Sequence, residues 1–237
     1  MSTGQASTGQ ASTGQASTAQ VDTVTAERFA AQLLTGAPGR SAVEVTGRLL
    51  AVQGQDPRGA RLAIRPRSAG LTAADVDRAL TDDRSLLITW LNRGTLHLVR
   101  SEDYWWLHPL VTPPLLTASA RRLAQEGVEP AAADKAVAVI ESSLTTDGPL
   151  SRVQLRDRID SAGVRTQGQA LVHILLLAGL RGVAVRGPMA AGQHAYVLVS
   201  DWLGATPAPL SRDAALAELA RRYLAGHGPA GEADLAK

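Results

Sequence analysis

The sequence predicts a mainly α-helical fold with small β-hairpins. Apolar residues recur at helical spacing through most of the chain, between recognisable caps and stops. Two pairs of short β-rich segments flank turn residues, one pair around Asn92-Arg93-Gly94 and one between Gly187 and Gly192. Apolar residues make up 45% of the chain but aromatics only 3%, so the core is built mainly from Ala, Val and Leu.

Residues 2–20 repeat Ser-Thr-Gly-Gln-Ala with no large apolar side chain and no charge. Such a segment buries too little surface to offset its ordering entropy, which predicts a disordered tail over residues 1–21. Residues 25–34 read as a helix with Phe29, Leu33 and Leu34 inward, ended by Gly36 and Pro38. Residues 41–52 read as a second, with Ser41 and Glu44 in capping-box spacing and Val45, Leu49 and Val52 on its buried face. Residues 58–67 are basic, with Leu62 and Ile64 as apolar anchors. Thr72 caps a helix through Leu80. Residues 85–91 and 95–99 then read as two strands joined by Asn92-Arg93-Gly94.

Residues 102–110 hold Tyr104, Trp105 and Trp106 in an amphipathic stretch, where His108 reads as a turn residue beside Pro109. Pro113-Pro114 opens a helix stopped by Gly127, and residues 131–144 form another. Ser151 and Gln154 match a capping box, whose helix ends at Gly163. Residues 169–180 are a very apolar helix. Residues 183–186 and 194–199 are short strands around a Gly-Pro loop. Helix, helix, helix, two-stranded wing is the order of a winged helix. The fold expected is therefore tandem winged-helix (helix-turn-helix) motifs: one unit over residues 22–128, a second over 129–206, and the start of an incomplete third over 207–237. The last helical pattern is unfinished at Lys237. Residues 211–237 are accordingly expected to be loosely held, in a chain that is either cut from a longer protein or unusually short.

Cysteine is absent, which excludes disulfides, thiol catalysis and Cys-ligated zinc. Neither a signal peptide nor a bilayer-spanning run is recognisable, and a cytoplasmic, nucleoid-associated monomer is expected. Of the 24 basic residues only Lys135 and Lys237 are lysine, and the net charge is +2. Arginine suits bidentate phosphate contacts; a general bias towards Ala, Gly and Arg explains the same excess. Arg58, Arg61, Arg65, Arg67, Arg93 and Arg186 are the candidate DNA contacts, with His194 on the second wing strand. A solvated basic face is the alternative for each.

The stretch of greatest interest is Gln53-Gly54-Gln55-Asp56-Pro57. Residues two apart share a face only on an extended segment. If the helix stops near Gln53, two neutral amides converge on one point and can hold a water. A polar helix end with solvated glutamines is the alternative.

Three stretches in this order resemble a known family. They are Leu50-Ala-Val-Gln-Gly-Gln-Asp-Pro57, Trp90-Leu-Asn-Arg-Gly-Thr-Leu-His-Leu98 and Tyr196-Val-Leu-Val-Ser-Asp-Trp202. They look like the winged-helix DNA glycosylases of the AlkZ type, which include enzymes that unhook interstrand crosslinks. The resemblance runs from about Asp22 to the C-terminus. It implies a monofunctional glycosylase in DNA repair, or in self-resistance to a DNA-alkylating natural product. The partner would be double-stranded DNA carrying bulky N7-alkylated purines, and no metal or other cofactor would be needed. In one branch of that family Gln-x-Gln is the catalytic motif, with an apolar middle residue where this chain has Gly54. The resemblance thus makes Gln55 the residue that places water and Gln53 the one that orients sugar and water. The rival class is a non-catalytic DNA-binding regulator or drug-sequestering protein on the same scaffold.

Overall fold

The computed structural model describes residues 12–190 and 192–235. Its helices are α1 (Ser12–Ala31), α2 (Ala42–Leu49), α3 (Pro57–Ile64), α4 (Ala73–Thr81), α5 (Ser101–Val111), α6 (Pro113–Gln125), α7 (Pro130–Asp147), α8 (Arg152–Ser161), α9 (Ala170–Leu180), α10 (Val199–Leu203), α11 (Arg212–His227) and α12 (Glu232–Leu235). The strands are β1 (Val52–Gln53), β2 (Leu86–Trp90), β3 (Leu96–Arg100), β4 (Ala184–Ala190) and β5 (Gln193–Leu198). The mainly helical expectation with small β-hairpins holds.

Several caps act as the sequence implies. Ser41 Oγ accepts the Glu44 N–H at 3.0 Å, and Ser151 and Gln154 bond reciprocally at the start of α8. Thr72 and Asp75 form the same box on α4. The Asn92-Arg93-Gly94 turn is made by left-handed φ values at Arg93 (57°) and Gly94 (71°).

The five strands form one antiparallel sheet in the order β1-β3-β2-β4-β5. Ile88 of β2 pairs with Arg186 of β4, so the hairpin before residue 128 and the wing after it share one ladder. Ile88, Trp90, Leu96, Leu98 and Tyr196 line one face and pack with α2, α4, α7 and α9. Leu87, Val99, Val185 and Val197 line the other and pack with Tyr104, Leu107 and Trp202. Adjacent residues alternate between two buried faces, which explains why β2 is buried at every position.

Five readings need correction. Phe29 and Leu34, expected inward, are 48% and 37% exposed, because of these three only Leu33 packs against the core. The first helix begins at Ser12, not Thr25, so the later half of the repeat continues it backwards; residues 1–11 lie outside the described residues. Leu62 is not an anchor but 60% exposed, because Ala60 and Ile64 supply the buried face of α3. His108 is no turn residue: it is buried in α5 with Nε2 2.9 Å from the Gly179 carbonyl. The segment from Ser211 is docked rather than loose. Arg222 of α11 donates to both carboxylate oxygens of Asp103 at 3.0 Å and to the Gly47 carbonyl at 2.8 Å. Arg100 closes on the same carboxylate at 2.7 and 3.0 Å. Gly226 lies against the Arg48 carbonyl, where a Cβ would clash.

Candidate active site

The glutamine stretch forms where a helix gives way to the edge of the sheet. Helix α2 ends earlier than its apolar pattern implies, at Leu49, because Leu50 turns the chain with φ at 67°. Val52 and Gln53 then pair with Leu98 and His97. The ladder runs one residue further, as the Gly54 N–H donates to the Leu96 carbonyl at 2.7 Å. A Cβ at Gly54 would stand 3.2 Å from the Leu98 nitrogen. Glycine thus lets the edge strand run close to β3.

Gln55 closes the ladder with its side chain. The Leu96 N–H donates to Gln55 Oε1 at 3.3 Å, in the place of a strand carbonyl. That contact fixes the amide, leaving its N–H donors and a second lone pair free. Asp56 then caps α3, accepting the N–H groups of Arg58 at 3.1 Å and Gly59 at 3.2 Å. Its carboxylate is engaged in the turn.

The two glutamines are both exposed, and Gln53 is not among the residues lining the cavity at Gln55. Gln53 lies on the register row of His97 and Thr89, opposite the Trp90 face. Gln55, beyond the strand, lines a cavity of about 180 Å³ with Trp90, Arg152, Arg186 and Tyr196. The chain bends at Gln55, where it leaves the strand. His97 is half-buried, with Nδ1 3.0 Å from the Thr95 carbonyl, and burial lowers its pKa.

The candidate DNA contacts divide. Arg58 and Arg65 stand exposed beside a groove of about 590 Å³ floored by Ile64, Leu71 and Val76. Arg93 is exposed in the hairpin turn. Arg61 turns inward: it pairs closely with Asp77 and donates to the Pro57 carbonyl at 2.6 Å, clamping α3 to α4. Arg67 donates to the Ala63 carbonyl at 2.7 Å and to Gln32 Oε1 at 3.1 Å, and partial burial lowers its pKa. Neither guanidinium is free to face a duplex. His194 is buried, and burial together with Arg61 pushes its pKa down to about 4. A neutral, enclosed imidazole is not a phosphate contact. Arg186 lies half-buried, 5.2 Å from the Trp90 ring and 5.0 Å from the Tyr196 ring, and donates twice to the Tyr196 hydroxyl.

Sequence reasoning missed Arg152, Trp90 and Tyr196 as partners of Gln55. The two aromatics lie in the motifs quoted above. Nothing local marks Arg152; the backbone bridge between Leu150 and Tyr196, at 3.0 and 2.8 Å, brings the start of α8 to the cavity.

Comparison with known proteins gives the family. A family model described as "DNA glycosylase AlkZ-like" matches residues 46–237. An "Interstrand DNA cross-link repair glycosylase" of Streptomyces sahachiroi is 32% identical over 217 residues, which are 86% of this chain and 56% of that protein. The solved Streptomyces sahachiroi DNA glycosylase AlkZ superposes with a TM-score of 0.67 at 29% identity, covering 87% of this chain and 57% of that one. The chain spans just over half the length of the relatives it matches, and over that length it belongs to the AlkZ-like DNA glycosylase family.

Proposed function

We propose that this chain hydrolyses the N-glycosidic bond of bulky N7-alkylated purines in double-stranded DNA, as part of the repair of, or self-resistance to, alkylation by a natural product. The observation that carries the reading is the fixed, solvent-facing amide of Gln55 at a cavity lined by arginine and aromatic rings. An N7-alkylguanine is already cationic, so it departs with the glycosidic electron pair as a neutral base and needs no acid. Water forms the new bond to C1′ and gives its proton to solvent. The protein has to place that water and favour a cationic sugar, and a neutral amide aimed at developing charge does both. Gln55 places the water; Gln53, on the other side of the edge, serves the sugar less directly.

The exposed position of Gln55 also suits a crosslinked base, which is tethered to both strands and cannot be flipped deep into a pocket. The units α8–α9–β4–β5 and α3–α4–β2–β3 are read as tandem winged-helix motifs that hold a duplex against this edge, with the protein acting as a cytoplasmic monomer on the nucleoid. The test is incubation with a duplex containing one N7-alkylguanine, followed by heating. Strand cleavage at the lesion by wild-type protein, lost in Gln55→Ala, is the expected result. Absence of abasic sites with wild-type protein would leave the binding-protein class in its place.

A further inference from the structure

The cavity beside Gln55 is a collection of donors. Arg186 donates to the Tyr196 hydroxyl from Nε at 3.0 Å and from Nη2 at 2.7 Å. A phenol oxygen offers two acceptor positions and one O–H. Both acceptor positions are thereby filled, so the O–H has to be given elsewhere. Tyr196 is 1% exposed, and among the described residues no acceptor meets that proton. A buried donor left unmet costs free energy, and such groups in folded proteins generally have a partner or a ligand. Burial raises the Tyr196 pKa, which keeps the proton in place. Arg152, at the start of α8 and exposed, has no hydrogen-bond or ion-pair partner among the described residues. The Gln55 N–H groups complete the set.

Tyr196, Arg186, Arg152 and Gln55 line one cavity of about 180 Å³, equal to roughly six waters at ~30 Å³ each. We infer that these donors form an oxyanion site that takes a backbone phosphate of the lesion strand. The inference rests on the glycosylase reading of Gln55. It also answers a difficulty in that reading. Two guanidinium charges beside a sugar that becomes cationic would oppose the reaction; a phosphate held between them and the sugar offsets that field. Free inorganic phosphate has the same chemistry, and the experiment separates the two.

Binding of a duplex with one N7-alkylguanine is measured for wild type and Arg152→Ala across a salt series, with single neutral methylphosphonates walked through the phosphates around the lesion. Arg152→Ala is expected to weaken binding about tenfold, the loss of one charge-assisted contact, and to lower the salt slope by about one. One methylphosphonate position should weaken wild type by a similar factor and Arg152→Ala distinctly less. Wild-type affinity in Arg152→Ala, or weakening of both proteins alike at every position, overturns the site. Tyr196→Phe should respond less than wild type at that same position, and a full wild-type response there removes Tyr196 from it. Binding of inorganic phosphate alone is measured for both proteins at constant ionic strength. Inorganic phosphate that binds wild type but not Arg152→Ala, with no methylphosphonate position sensing Arg152, marks a free-anion site and overturns the assignment to DNA. These readouts need no base release. A wild-type protein that shows the coupling but makes no abasic sites keeps the oxyanion site and loses the glycosylase reading.

Discussion

Two groups of arginines in this protein look alike in sequence and differ in what they can do. The first follows the glutamine stretch, in α3 and the turn after it. The second, Arg152 and Arg186, comes from helix α8 and strand β4. Arg61 and Arg67 of the first group give donors to Asp77, Pro57, Gln32 and Ala63. Arg152 of the second has no such partner among the described residues, and Arg186 is held in an aromatic stack at the Gln55 cavity. A guanidinium already engaged in the fold loses stability when removed; a free one loses a ligand. Local charge density is therefore a poor guide to a phosphate site, and donor accounting a better one.

The largest test of this division is Arg222, whose side chain is 11% exposed and pairs with Asp103, 3% exposed. Asp103 is the common partner of Arg222 and Arg100, so Asp103→Ala leaves two part-buried guanidiniums without it and should lose about 3–5 kcal/mol in urea unfolding. The amides of α11 should lose their protection from hydrogen exchange. Retained stability would mean that α11 is held by its apolar contacts alone.

Gln55→Ala comes next. A preorganised polar group aimed at developing charge is worth on the order of a hundredfold in rate, about 3 kcal/mol, and DNA affinity should barely change. Single-turnover base release measures it, and Gln53→Ala should show a smaller loss of the same kind. An equal or larger effect of Gln53→Ala would mean that the two amides meet when DNA binds.

Arg61→Ala should cost about 2 kcal/mol of stability while leaving the salt slope of DNA binding unchanged. A lower slope would move Arg61 back among the DNA contacts. Its neighbour gives an acid signature of similar size. His194 has a folded pKa near 4 against an ordinary 6.5, chiefly through burial and then through Arg61. The unfolded chain binds that proton first as pH falls below 6.5, so stability drops, by about 2 kcal/mol at pH 5. His97 and His108, lowered by burial, act in the same direction. Unfolding free energies at pH 7 and pH 5 measure the drop, and His194→Gln should reduce it.

The smallest effects belong to Arg58 and Arg65, exposed beside the α3–α4 groove. Each alanine variant should change stability by less than about 0.5 kcal/mol. Each should lower the salt slope of DNA binding by about one if it meets a phosphate. An unchanged slope would restrict phosphate contact to the α8 and β4 group.

The sequence by itself determined the helical character, most caps, both hairpins and the glutamine stretch. These depend on residues within a few positions of one another: Ser151 with Gln154, Thr72 with its helix, Asn92-Arg93-Gly94 with its flanking strands. Only the tertiary structure decided which donors are free. Arg61 meets Asp77 across 16 positions, Arg222 meets Asp103 across 119, and the two hairpins join into one sheet through Ile88 and Arg186. It also decided that Gln55, and not Gln53, reaches the cavity, because Leu50 ends α2 early and the Leu96 N–H captures the Gln55 carbonyl. The reason is physical: a cap satisfies its own backbone, whereas a guanidinium on a long side chain takes whichever acceptor the packing brings within reach.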